Sequence, residues 1–217
     1  MSYTREQIEA TLKSEGHTYF EDKANKGYDV NMVGIRNSLT GTSVTNLFDD
    51  IMTLSYKDNG KWIYKEWPIT TDPGNKAMKE YHNPKGVARL APGQYRGSHC
   101  IGLHKGQYEA LTQKNAVTIW RDNNKNLLHD MQIIDKGLFG INIHRSNPKT
   151  ESTYVENWSE GCQVFKRAKD FKEFMDILHK AKDIHGNSFT YTLIESKDII
   201  LWNLETAGDQ QQNNGIS

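Results

Sequence analysis

His144 and Cys162 are the residues whose types and spacing most directly suggest chemistry. His144 ends the apolar run Phe139-Gly140-Ile141-Asn142-Ile143, and Cys162 opens a second run, Gln163-Val164-Phe165, directly after the turn Ser159-Glu160-Gly161. An extended loop of the intervening length can bring the imidazole back beside the thiol on neighbouring strands. The thiolate is the nucleophilic form of cysteine, and a nearby imidazole produces it by taking the proton. A glycine next to the nucleophile lets backbone N–H groups approach a developing oxyanion, and Ser159 can brace the turn through its hydroxyl. The bland reading is that a Gly-Cys pair opening a strand is a small buried residue, since free cysteine is among the most buried types.

A second cluster is Ser98-His99-Cys100-Ile101-Gly102-Leu103-His104. Strand alternation puts Cys100 and His104 on one face and His99 on the other. Cys100 and His104 could meet a third ligand, His129 or His144, at a metal. No HExxH or paired CxxC motif supports such a site, so no metal or other cofactor is expected. Trp62 and Tyr64 share a sheet face and Trp67 takes the other, which is the pattern of core packing.

The elements that must position these residues are mostly short strands. Asp58-Asn59-Gly60 between two β-like runs is a hairpin signal, because Asn and Gly tolerate the positive φ of a type I′ turn. Further strands are expected near 28–35, 86–90, 100–104, 116–121, 140–144, 162–165, 189–194 and 199–202, with a turn at Ala91-Pro92-Gly93-Gln94. Thr4-Arg5-Glu6-Gln7 matches a capping box and predicts a helix over about 5–15. A short helix is expected near 76–81. Phe171, Phe174, Ile177, Leu178, Ala181 and Ile184 recur at helical spacing up to Gly186. The expected architecture is a β-rich α+β fold: a mixed β-sheet or sandwich core with a few peripheral helices. Residues 1–204 are read as one catalytic-like domain with an N-terminal helical extension at 1–16, and 205–217 as a disordered tail.

Composition bounds the function. Twenty-seven basic residues balance twenty-seven acidic ones, so there is no global basic excess to neutralise nucleic-acid phosphates. No apolar run reaches the length of a membrane span. No basic segment followed by an apolar stretch opens the chain, so no signal peptide is visible and the cytoplasm is the default location. Two cysteines cannot form a disulfide framework, and both are expected to be free thiols.

The pattern of a histidine, a loop and then Ser159-x-Gly161-Cys162 resembles the active-site signature of the L,D-transpeptidase catalytic domain. The likeness covers residues 85–165 loosely and 139–165 closely. It implies a β-rich fold in which Cys162 is acylated by a peptidoglycan stem peptide and passes the acyl group to an amine or to water. His144 is then the base, Gly161 and Cys162 supply the oxyanion-hole N–H groups, and Ser159 is structural. The family's arginine two residues after the cysteine is replaced by Val164, and the glycine after its histidine by Arg145. Arg145, His104 or Arg121 are candidates to hold the substrate instead. A peptidoglycan substrate with no visible export signal would fit a phage virion protein, release by lysis, or specialised secretion. The alternatives are a non-catalytic cell-wall or glycan-binding module of a phage or secretion particle, and a zinc peptidase using His99, Cys100, His104 or His129.

Overall fold

The computed structural model describes residues 2–81 and 83–201. In chain order its elements are α1 (Arg5–Ser14), β1 (Asn31–Arg36), β2 (Asp50–Asp58), β3 (Lys61–Thr70), α2 (Asn75–Glu80), β4 (Val87–Leu90), β5 (Gly93–His104), β6 (Tyr108–Gln113), β7 (Val117–Asp122), β8 (Ile133–Gly137), β9 (Ile143–Arg145), β10 (Gln163–Phe165), α3 (Ala168–His185) and β11 (Phe189–Glu195). Asn59 and Gly60 both take positive φ, 49° and 76°, as a type I′ turn requires. That turn sets Asp58 opposite Lys61 and carries the register through to Asp50 opposite Ile69.

The sheet does not stay open. Eight strands close into a barrel in the order β1-β11-β5-β6-β9-β10-β3-β2, and β4-β7-β8 form a separate small sheet. The barrel is mixed: β1 with β11 and β9 with β10 run parallel, and the remaining neighbours are antiparallel. The β1–β11 pairing closes it by joining early and late segments of the chain. The protein is thus a β-rich α+β fold with a barrel and a small second sheet in place of a sandwich.

Two strands, β6 and β8, were not expected. Gly106 (φ 69°) and Lys105 (φ 50°) form the turn that returns β5 into β6. The 199–202 strand is not formed over its described residues: the chain leaves β11 through a 3₁₀ turn at Ser196–Asp198, and Ile199 packs into the cluster around α1. Trp202 and the 205–217 tail lie outside the described residues. The expected 140–144 strand shrinks to β9, for a reason given below.

The helices cover apolar faces. The Thr4–Gln7 capping box forms as its residues dictate, and Ile8 and Leu12 of α1 pack with Tyr19, Val33, Ile35 and Ile194. α3 buries Phe171, Phe174, Ile177, Leu178 and Ala181 in the main core, where Phe165 and Trp67 meet Phe174. Ile184 is 41% exposed, so the apolar stripe ends before the helix does. No helix among the described residues is long and apolar enough to cross a membrane.

A half-buried carboxylate ties the small sheet to the barrel. Asp72 follows β3 and accepts from Arg89 of β4, Nε at 2.8 Å and Nη2 at 3.1 Å, while Arg36 Nε of β1, which donates to Thr71 Oγ1, lies 2.9 Å from the same carboxylate as an ion pair. His129 Nε2 lies 3.4 Å from its Oδ2 without hydrogen-bond geometry. Burial alone would raise the Asp72 carboxyl, but the two guanidiniums hold it well below the usual carboxylate range. Replacing Asp72 by Asn removes the carboxylate that both guanidiniums contact and leaves them the field of the buried Asp50. D72N should cost about 3–5 kcal/mol in urea denaturation; a loss below about 1 kcal/mol would mean that the two sheets do not depend on this charge.

Candidate active site

Parallel pairing of β9 and β10 brings the two candidate residues together. Gln163 stands opposite Ile143 and Val164 opposite His144. Ile143 and Phe165 point into the main core, and Gln163 accepts a hydrogen bond from buried Tyr191. Alternation therefore places His144, Val164 and Cys162 together on the other face, with Cys162 two strand positions from His144. Cys162 and Val164 pack on Phe48 and Val155. Val164 is fully buried there, so an arginine at this position, as in the family signature, has no room for its charge.

The turn before Cys162 is fixed from both sides. Gly74 N–H donates to Ser159 O and Ala88 N–H to Glu160 O, each at 3.1 Å. Gly161 has φ +133°, and a Cβ there would lie 1.9 Å from Ala88 O, so both conformation and space demand glycine. Ser159 is fully buried; its hydroxyl donates to Cys162 O at 2.8 Å and accepts from Gly161 N–H at 3.1 Å. Its structural part is thereby plain. The same bond corrects one expectation: Gly161 N–H is already occupied and does not point into an oxyanion hole. The Cys162 N–H finds no acceptor among the described residues.

The segment facing the thiol is held by side chains, which is why it does not extend β9. Gln113 Oε1 accepts from Phe139 N–H and Ile141 N–H, both at 2.9 Å, while its Nε2 donates to Gly137 O. His99 Nε2 lies 2.9 Å from Ile141 O and its Nδ1 2.8 Å from Ser98 Oγ. Asn142 Oδ1 accepts from Gln113 N–H at 2.8 Å. Gly140 O is left to receive the Cys162 thiol at 3.3 Å.

The pair rests in neutral form. Burial pushes the Cys162 thiol up to about 11, against smaller favourable effects of the Asn142 backbone N–H and Lys105. His144 is lowered to about 3, first by burial and then by repulsion from His104. His144 Nδ1 lies 2.8 Å from Arg145 O and 3.1 Å from Tyr108 Oη. Only a protonated Nδ1 can bond the carbonyl, which leaves the lone pair on Nε2. That Nε2 is buried and has no hydrogen-bond partner among the described residues. Cys162 and His144 share a face, but no hydrogen bond joins them.

Of the remaining candidates, His104 stacks on His144 with ring centroids 4.0 Å apart, and Arg145 lies over the Tyr108 ring at 4.1 Å. Both border the site. Arg121, on β7, is turned to Phe139, Gly86 and Asp135 and is not free to hold a substrate. The residues named for a zinc site are not gathered at one point. Both nitrogens of His99 are engaged, His129 is drawn to Asp72, and no group of three or more His, Cys, Asp or Glu among the described residues could hold a metal ion. Cys100 lies beside Thr112 at 3.6 Å. Sequence reasoning missed Tyr108, Gln113 and Asn142. The Gly106 turn after His104 is the signal that would have added β6, and with it the first two.

His99 yields a pH prediction. Burial lowers it to about 4, so it folds neutral. Its stabilising contribution is complete above about pH 6.5 and is lost as pH falls through 4, because the unfolded chain binds the proton first. The loss assignable to it is about 3 kcal/mol. Urea denaturation from pH 7 to 4 should show His99→Gln, though less stable, falling less steeply than the wild type; parallel slopes would exclude His99 as the cause.

No family profile, curated protein or solved structure was found to match the chain.

Proposed function

We propose that the protein is a cysteine-dependent acyltransferase or hydrolase of L,D-transpeptidase type, acting on peptidoglycan stem peptides through Cys162 and His144. The observation that carries this reading is the anchored imidazole. Its Nδ1–H is held on Arg145 O, and its unpartnered, buried Nε2 shares a strand face with the thiol. Buried ring nitrogens are normally bonded; of the two left unbonded among the described residues, His129 Nε2 faces Asp72, and only His144 Nε2 shares a face with a thiol. In the reaction, Nε2 takes the thiol proton as Sγ attacks the peptide carbonyl. The tetrahedral oxyanion meets the Cys162 N–H, and the proton passes to the departing amine as the thioester forms. An amine or water then releases the acyl group.

A second reading has its own observation. The Cys162 thiol donates to Gly140 O and does not touch His144, which suits a non-catalytic cell-wall or glycan-binding module built on the same frame.

Intact-protein mass spectrometry with a stem tetrapeptide or carbapenem donor separates the two. The catalytic reading expects one acyl adduct on Cys162, and a loss of about 10²–10⁴-fold in its rate for His144→Ala, the usual span of general acid–base catalysis. Absence of an adduct, with binding to cell-wall sacculi retained, selects the module.

The neutral pair also sets the pH profile. With His144 near 3 and Cys162 near 11, the reactive protonation state persists between those limits. The acylation rate should be flat from about pH 5 to 9. A bell with a limb near neutrality would indicate a thiolate–imidazolium pair instead.

A further inference from the structure

We propose that Asn142 is a positioning residue that locks His104, and through it the base His144, in the neutral form. The inference rests on the Cys162–His144 reading for its catalytic meaning, while its structural content stands apart from that reading. Asn142 Oδ1 receives Gln113 N–H at 2.8 Å, and a backbone amide can only donate. The orientation of the side-chain amide is thereby fixed, and its NH₂ must face His104 Nδ1 at 3.1 Å. Nδ1 of His104 is therefore an acceptor and its proton sits on Nε2. Protonating His104 would aim an N–H at an N–H. The amide cannot turn over to relieve this without losing Gln113.

His104 in turn stacks on His144 at 4.0 Å with 25° between the ring planes. A cation on the first ring would oppose the imidazolium that must form on the second as it takes the thiol proton and Sγ attacks the carbonyl. The other groups around the two rings act in the same sense or carry no charge. Lys105 from the β5–β6 turn and Arg145 from β9 disfavour a proton on either ring, and Tyr108 from β6 and the Cys162 thiol are neutral. Asn142 thus joins both halves of the site. Its side chain sets the state of the histidine pair, and its backbone N–H faces the Cys162 sulfur.

Asn142→Asp tests this with almost no change in shape. One carboxylate oxygen still takes Gln113 N–H, and the other now accepts from a protonated Nδ1 of His104. Nitrogen-15 NMR of the imidazoles should find wild-type His104 as the Nε2–H tautomer at neutral pH, titrating below the ordinary value of about 6.5. In N142D it should titrate above that value, a shift of at least about one unit. The wild-type acylation profile should gain an acid limb at the new His104 pKa in N142D, with a rate loss of about tenfold or more per unit of pH across that limb at its steepest. A wild-type Nδ1–H tautomer, or a His104 titration that N142D leaves in place, overturns the proposal. If no acylation occurs in either protein, the catalytic reading fails while the tautomer and titration still decide the lock.

Discussion

The arrangement depends on the carboxylate of Asp72, half-buried between two buried guanidiniums. Arg36 belongs to the barrel and Arg89 to the small sheet, both are almost completely buried, and both pair with this one carboxylate. Once β4 is fixed in this way, Ala88 presents its N–H to Glu160 and its carbonyl to the space beside Gly161. The turn that delivers Cys162 is then determined by a contact only glycine allows. The ionic tie thus acts on the site at one remove, through β4.

The site has two halves held by different means. Cys162 is placed by backbone contacts: the β9–β10 pairing, the Gly74 and Ala88 amides, and the Ser159 hydroxyl inside its own turn. His144 is placed by side chains of β5 and β6, with His104 against its face and Tyr108 at its Nδ1. Gln113 and His99 fix the segment between the halves by taking the amides and the carbonyl that a longer β9 would have paired. Shortening that strand frees Gly140 O to meet the thiol. A neutral pair follows from the burial of His144 and the partly buried, apolar setting of Cys162 against Phe48 and Val155, where an ion finds few donors or acceptors.

Much of this was legible in the residues. The Asn59-Gly60 hairpin, the Thr4 capping box and the 168–185 helix each carry a local signal that sterics or periodicity enforce, and each forms. His144 and Cys162 were paired from their runs and spacing, and they do share a strand face. What could not be read were non-local facts. Barrel closure depends on β1 meeting β11 across the length of the chain. The capture of Gly161 N–H by Ser159 depends on how one turn is pinned by two distant amides. Arg121 looked available because its partners Phe139 and Asp135 are remote from it in sequence. Val164 read as a missing arginine, yet its position is a closed apolar pocket of Phe48 and Val155.

The proposed chemistry stands on a neutral thiol that shares a strand face with a neutral imidazole. The most direct measurement is the ultraviolet absorbance of the thiolate during a pH titration of Cys100→Ser, which leaves Cys162 as the only cysteine. The account predicts no thiolate at neutral pH and a midpoint well above the ordinary cysteine value of about 8.5. A thiolate already present at pH 7, abolished by His144→Ala, would contradict it and establish an ion pair in its place.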